Sequence, residues 1–530
     1  MNENHIRKNG WWFWGLLGIA FGLKFGYEAF RYYPILDDWI QYGVFQQYAH
    51  PFQEVFLSYT YHTRPLASLF DLYIWGKFWP DLSWAFILLT ILHFASCYLL
   101  YRIFRQLGIA LGAGTAIIFG LIPLASEGVY WISASSRVLV GVFLMLISLF
   151  FLVQALKGPR KVGSLIGFFI FQLLSFGMYE QIIAMGAGSA IAILLWKGRQ
   201  RLVWLPILNV VIIGLYYVVF KEGGNAATRG QIVPLERLLV HTGGVFHEFY
   251  DIVVLLHAKF YSIGFGRGLR LLVENQSYMY MIAISILSLA IGWTVFRFLH
   301  ARQQPYHPKV QLLAGVLLIV LPLSPFFILD KSGLALRNVL PPLLGFALFI
   351  DGLLLFLIKK EKGKLLYSAI LGCLTCIFIV VNVADIVDYK RVSQTDRYVA
   401  EQIIAQGHQS GKLDGNHAIY LFGADKELVE VGVPFLNHVR STASSDWALT
   451  GNVRALANNR YFPTVRPILQ NEKIVINEEM KHGILLGLEP DMRVVPLRLV
   501  NRGETYELLR LDHTRFNSES INMDKVNGTK

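Results

Sequence analysis

Eleven apolar stretches of spanning length recur along the chain, near residues 11–30, 81–101, 108–125, 138–156, 162–179, 181–196, 202–220, 278–298, 310–329, 339–358 and 365–384. Each matches the roughly 20 residues that an α-helix needs to cross a hydrocarbon layer about 30 Å thick. A chain patterned this way cannot close one water-soluble core. With 54% hydrophobic and only 16% charged residues over 530 positions, and a mean hydropathy of +0.46, it reads as polytopic. The first stretch is long, contains Lys24 and lacks a small-residue cleavage site, so it reads as a retained span.

Charge orients these spans. Segments 1–10, 102–107, 157–161, 197–201, 297–309 and 359–364 hold 17 Lys and Arg against 2 acidic residues, whereas the alternate loops are close to balance. The positive-inside rule then places the amino terminus in the cytoplasm and, after eleven crossings, the carboxyl terminus outside. The expected fold is a polytopic α-helical membrane protein of about 11 transmembrane helices, residues 1–384, with a small extracytoplasmic α/β domain, residues 385–530. In that last part 18 basic residues meet 19 acidic ones, and short β-rich runs at 418–422, 473–476, 493–500 and 505–511 follow a helical stretch at 395–409. The net charge of +12 therefore belongs to membrane topology, and nothing favours nucleic acid. Cys97, Cys373 and Cys376 all lie in apolar segments and read as small core residues, not as a disulfide or redox pair.

Chemistry-bearing residues gather in the outer loops at 31–80, 126–137, 221–277 and 330–338 and at the turn around Glu180. Asp37 and Asp38 stand side by side just past the first span, where two carboxylates raise each other's pKa unless one binds a cation, takes a proton or meets a positive partner. The bland alternative is that one of them caps a helix starting near Trp39. Of the two, Asp38 is favoured as a base because an aromatic follows it directly. Glu127, Trp131 and Arg137 follow in the second loop, a set that suits a sugar face and a phosphate. Glu180 sits where two spans meet with barely a turn, and Lys331 and Arg337 flank Leu334–Leu336 beside Asn338 to Pro342.

Taken in order, Leu36-Asp37-Asp38, Thr63-Arg64-Pro65-Leu66, Leu92-His93-Phe94, Pro123 to Arg137, Tyr179-Glu180-Gln181-Ile182 and Leu336-Arg337 to Pro341 resemble the motifs of GT-C integral-membrane glycosyltransferases. The likeness is to the protein O-mannosyltransferase-like enzymes, including those with tetratricopeptide repeats, over most of residues 30–345. No such repeat follows residue 385, and Tyr179 stands where that branch tends to have a basic residue. The resemblance implies a hexosyltransferase that takes sugar from a polyprenyl-phosphate donor on the outer face and passes it to a hydroxyl of a glycan, lipid or protein. It implies Asp38 or Asp37 as base and Arg64, Arg137, Arg337 and Lys331 on the donor phosphate. Glu127, Glu180, Trp131 and His93 would orient substrate. No cofactor is required, although a carboxylate pair beside phosphate would suit a divalent cation. The expected place is an integral position in a bacterial inner (plasma) membrane, in contact with membrane lipid. Rival readings are a transporter or flippase of lipid-linked sugars, which would concentrate polar groups at mid-membrane and often show repeats, and a non-catalytic assembly partner.

Overall fold

The computed structural model describes residues 3–56, 64–109, 111–123, 126–157, 161–219, 232–301, 306–330, 333–359, 361–411, 417–425, 439–469, 474–502, 506–516 and 523–524. The chain forms two compact units. The first holds residues 1–31, 53–70 and 83–386; the second holds 32–52, 71–82 and 387–530.

Helices in chain order are α1 (Glu3–Phe25), α2 (Asp37–Gln41), α3 (Pro65–Tyr73), α4 (Ser83–Leu107), α5 (Ala113–Leu121), α6 (Ser126–Val129), α7 (Ile132–Lys157), α8 (Lys161–Phe176), α9 (Glu180–Trp196) and α10 (Trp204–Val219). They continue as α11 (Leu238–Tyr250), α12 (Leu256–Glu274), α13 (Tyr278–Ala301), α14 (Pro308–Ile328), α15 (Leu336–Leu355), α16 (Glu361–Ser410), α17 (Asp446–Leu456) and α18 (Glu478–His482). Among the described residues, eight helices are long and apolar enough to cross a membrane, and Trp11–Phe25, α8 and α9 are shorter apolar helices. The chain is an integral membrane protein.

Two elements depart from a simple row of spans. The stretch expected at 108–125 is a nine-residue helix, α5, followed by a break before α6. It still runs the depth of α15: Thr115 Oγ1 donates to Asp351 Oδ2 at 2.7 Å near one end, and Glu127 Oε2 accepts from Arg337 N at 3.2 Å near the other. Residues 337 to 351 of a helix cover about 21 Å. Non-helical backbone at that depth persists only where protein satisfies it. Here Lys24 Nζ donates to Gly120 O and Ile122 O, each at 3.3 Å, and His93 Nε2 hydrogen-bonds Phe119 O at 3.2 Å.

The second departure is Leu235–Leu255, which has the length and apolarity of a span. It leads through Asp251–Leu255 into α12. Val233 N donates to Ile328 O at the end of α14, while Asn275 Nδ2 donates to Tyr27 Oη just beyond α1.

The second unit carries a five-stranded sheet, β1 (Ile419–Ala424), β2 (Val465–Leu469), β4 (Ile484–Leu488), β5 (Val494–Asn501) and β6 (Tyr506–Arg510), in the order β2-β1-β4-β5-β6. β1 is parallel to both β2 and β4, and β5 and β6 add antiparallel strands. β3 (Ile474–Val475) and β7 (Met523–Asp524) form a separate parallel pair. Side-chain alternation builds two cores. Ile419, Leu421 and Leu486 pack with Val399, Ile403, Leu449 and Val453 of α16 and α17; Tyr420, Phe422 and Leu485 pack with Met480, Leu508 and Phe516.

Candidate functional site

In the first unit, short turns at the ends of spans bring four separated motifs into one chain of polar contacts. Gly177 O accepts from Leu66 N at 3.0 Å and Ala67 N at 3.3 Å, which fixes the start of α3 against the turn between α8 and α9. Arg64, just ahead of α3, can then reach Glu180 at the start of α9. Its Nε donates to Glu180 Oε1 at 2.8 Å and Oε2 at 3.0 Å, and the guanidinium lies 4.3 Å from the centroid of the Tyr179 ring. Burial works against the charged guanidinium. Glu180 and then Tyr179 outweigh it, against opposition from nearby Arg137, and the pKa of Arg64 is raised.

Tyr179 continues the chain. Its hydroxyl donates to Asn338 Oδ1 at 2.5 Å, while Gln181 Nε2 donates to Asn338 O and Pro322 O, both at 3.0 Å. Next to Asn338, Arg337 donates from its backbone N and, at 3.5 Å, from a guanidinium nitrogen to Glu127 Oε2. Its guanidinium carbon is 5.5 Å from the ring centroid of Trp131. Arg64, Tyr179, Glu180, Asn338, Arg337, Glu127 and Trp131 thus stand together, with Arg137 in electrostatic reach. Over the ionisable members Arg64, Arg137, Arg337, Glu127 and Glu180, three positive charges meet two negative ones.

Two buried donors at this place lack a protein acceptor: Trp131 Nε1 and Tyr217 Oη, the latter within electrostatic reach of Glu180 and Arg64. Leaving such groups unpaired costs about 1–3 kcal/mol each, so a ligand with oxygen acceptors would find them ready. The sequence reading gives no role to Tyr217 or Asn338. An aromatic at the end of an apolar stretch looks like any interfacial residue, and Asn338 gains meaning only once Tyr179 is opposite.

One expected residue falls elsewhere. His93 lies wholly buried among Phe21 and Phe119, on the carbonyl of the broken span, and does not join the arginines. Lys331 lies outside the described residues. Among the described residues no group of three or more His, Cys, Asp or Glu could hold a metal ion.

The acid pair belongs to the second unit, and its members differ. Asp38 is fully buried, and its Oδ2 accepts from Tyr32 Oη at 2.5 Å and from Ile35 N at 3.1 Å. It closes the loop that Leu36 turns at a positive φ of 43°. Neither carboxylate caps α2, whose N-cap is Leu36 with no side-chain bond. Asp37 is half-buried, and Oδ1 accepts from the indole Nε1 of Trp447 at 2.8 Å.

No protein-family model and no curated protein matches the chain. Two solved structures are similar over 88% of this chain and 86% of theirs, each with a TM-score of 0.36: ArnT from Cupriavidus metallidurans bound to undecaprenyl phosphate, at 13% identity, and the same protein in its apo state, at 14%. A likeness that slight transfers no residue's role.

Proposed function

We propose that the protein is a membrane glycosyltransferase that uses a polyprenyl-phosphate-linked sugar and delivers it to a hydroxyl acceptor on the face opposite the cytoplasm. The observation that carries this reading is the contact chain from Arg64–Glu180 through Tyr179–Asn338 to Arg337–Glu127. Its two arginines and two glutamates balance, and Arg137 in electrostatic reach leaves one positive charge in excess, which suits the single negative charge of a phosphodiester-linked sugar. Arginines flanked by aromatic faces suit phosphate oxygens and a sugar ring. A transporter would place such groups at mid-membrane, whereas these stand at the ends of spans.

In the reaction the acceptor hydroxyl oxygen attacks the anomeric carbon, the bond from that carbon to phosphate oxygen breaks, and polyprenyl phosphate leaves. A carboxylate takes the hydroxyl proton. Asp37 is better suited than Asp38, because a base must reach substrate and the buried carboxylate of Asp38 already serves Tyr32 and Ile35. Arg64, Arg137 and Arg337 would balance the charge growing on the leaving phosphate. Glu127 and Glu180 would hold the arginines in place.

The test is release of undecaprenyl phosphate from undecaprenyl-phosphate hexoses in native membranes, which supply the acceptor. Asp37→Asn keeps the size of the side chain but cannot take a proton, and turnover falls at least ~10²-fold. Arg337→Lys keeps the charge and loses the planar fork, so the KM for the lipid donor rises while the protein stays inserted. Full activity in both variants would remove the reading.

A further inference from the structure

The seam that holds Asp37 comes from the other end of the sequence. α2 and α17 lie side by side and run in the same direction. Asp37 meets Trp447, Ile40 meets Gly451 and Gly43 meets Ala455. The steps of three residues on one side and four on the other are each about one helical turn, so Asp37–Trp447 is the first rung of a continuous seam. The approach is close: a Cβ at Gly451 would lie 3.0 Å from the Ile40 Cβ, and one at Gly43 would lie 2.6 Å from the Ala455 Cβ. Such packing leaves little freedom for the residues at its end.

The chemistry at that end is asymmetric. Among the described residues, the Asp37 side chain has a single hydrogen-bond partner, Trp447, which leaves Oδ2 open. An indole N–H only donates, so it holds the carboxylate through one oxygen and does not compete for its proton. Trp447 is 55% exposed, a high value for a tryptophan whose ring nitrogen is engaged. The neighbouring carboxylates are Asp38, whose Oδ2 is occupied, and Asp446, whose Oδ1 accepts from Trp447 N. A base held at one oxygen by a fixed donor, with the other oxygen open, is the arrangement in which a third group orients a catalytic one.

We propose that Trp447 is a positioning residue for Asp37, so that the carboxyl-terminal domain supplies part of the catalytic apparatus through α17. This inference rests on Asp37 being the base. Replacing Trp447 by benzothienylalanine keeps the bicyclic ring and removes only the N–H. With undecaprenyl-phosphate hexose in native membranes, that change lowers kcat about tenfold, the scale of one hydrogen bond to a charged group. The KM for the lipid donor stays unchanged, and Trp447→Phe behaves alike.

A second measurement needs no substrate. In protein labelled with 5-fluorotryptophan, the ¹⁹F resonance that disappears in Trp447→Phe moves in Asp37→Asn. Four results decide the matter. An inactive Asp37→Asn together with a benzothienylalanine protein of normal kcat would overturn the positioning role and leave the base intact. Full activity of Asp37→Asn would overturn both. A Trp447 resonance indifferent to Asp37→Asn would also overturn the contact. The expected losses together with a coupled resonance support it.

Discussion

Asp37 and Asp38 are adjacent in sequence yet predict opposite phenotypes. The carboxylate of Asp38 is buried and accepts two hydrogen bonds that shape the loop. Asp38→Asn turns one acceptor arrangement into a mixed donor and acceptor, so thermal stability drops by about 1–3 kcal/mol. Asp37→Asn leaves the melting temperature in place and removes turnover. Measuring both variants by thermal unfolding and by sugar transfer separates the roles; equal stability losses would contradict the assignment. The Arg64–Glu180 pair differs again. With the side chains 24% and 36% exposed, it is worth no more than about 1 kcal/mol to the fold after solvent screening. Glu180→Gln should therefore shift the KM for the lipid donor while barely moving stability.

At the scale of elements, the broken span explains two polar residues that a sequence reading cannot place. Lys24 and His93 look like functional groups inside apolar stretches, and in the fold they serve carbonyls that α5 leaves open. The pairing of α14 with α15 is set by glycines. A Cβ at Gly345 would lie 2.5 Å from Ile319 N, and one at Gly315 would lie 2.8 Å from Phe349 N. Backbone cannot yield as a flexible side chain does, so Gly345→Ala should force the helices apart and cost about 1–3 kcal/mol. Lower thermal stability in detergent checks this, and an unchanged melting temperature would show that the helices can slide. The strands missed in the sequence have local reasons as well. Val465–Leu469 contains Pro467, which argues against a strand, but it is an edge strand where proline is tolerated. Ile484–Leu488 is a short apolar run, buried on both faces, with no alternation to announce it.

At the scale of the whole molecule, the eleven crossings expected from the sequence make a topological test. An impermeant label should reach a tag at Lys530 from outside and fail to reach one at Lys362; finding both on one side would overturn the count. α16 is 50 residues long, about 75 Å, far more than one membrane crossing. Its polar half, in the second unit, holds Asp396, which accepts from Ser441 Oγ and Thr442 N at 2.5 and 2.8 Å. Burial pushes this carboxyl up to about 7 from 3.8. A folded-state pKa above the unfolded one means that the stability it gives is fully present below about pH 4 and is lost as pH rises to about 7. The difference is on the order of 4 kcal/mol. Protection factors of the sheet amides, with the intrinsic pH dependence of exchange divided out, should therefore be higher at pH 5.5 than at pH 8, and Asp396→Asn should flatten that dependence.

The sequence by itself determined the membrane part, because apolarity over about twenty residues is a local property. It also marked Arg64, Glu127, Glu180 and Arg337, since charge at a span's end is conspicuous wherever the chain goes next. Their partners were decided only by the tertiary structure. Arg64 and Glu180 are separated by 116 residues, Glu127 and Arg337 by 210, and Asp37 and Trp447 by 410. No local pattern encodes such distances. They follow from how α7, α9, α15 and α17 pack, and packing is settled by the shape of whole helix faces, down to single glycines at 345 and 451, and not by the polar residues that it brings together.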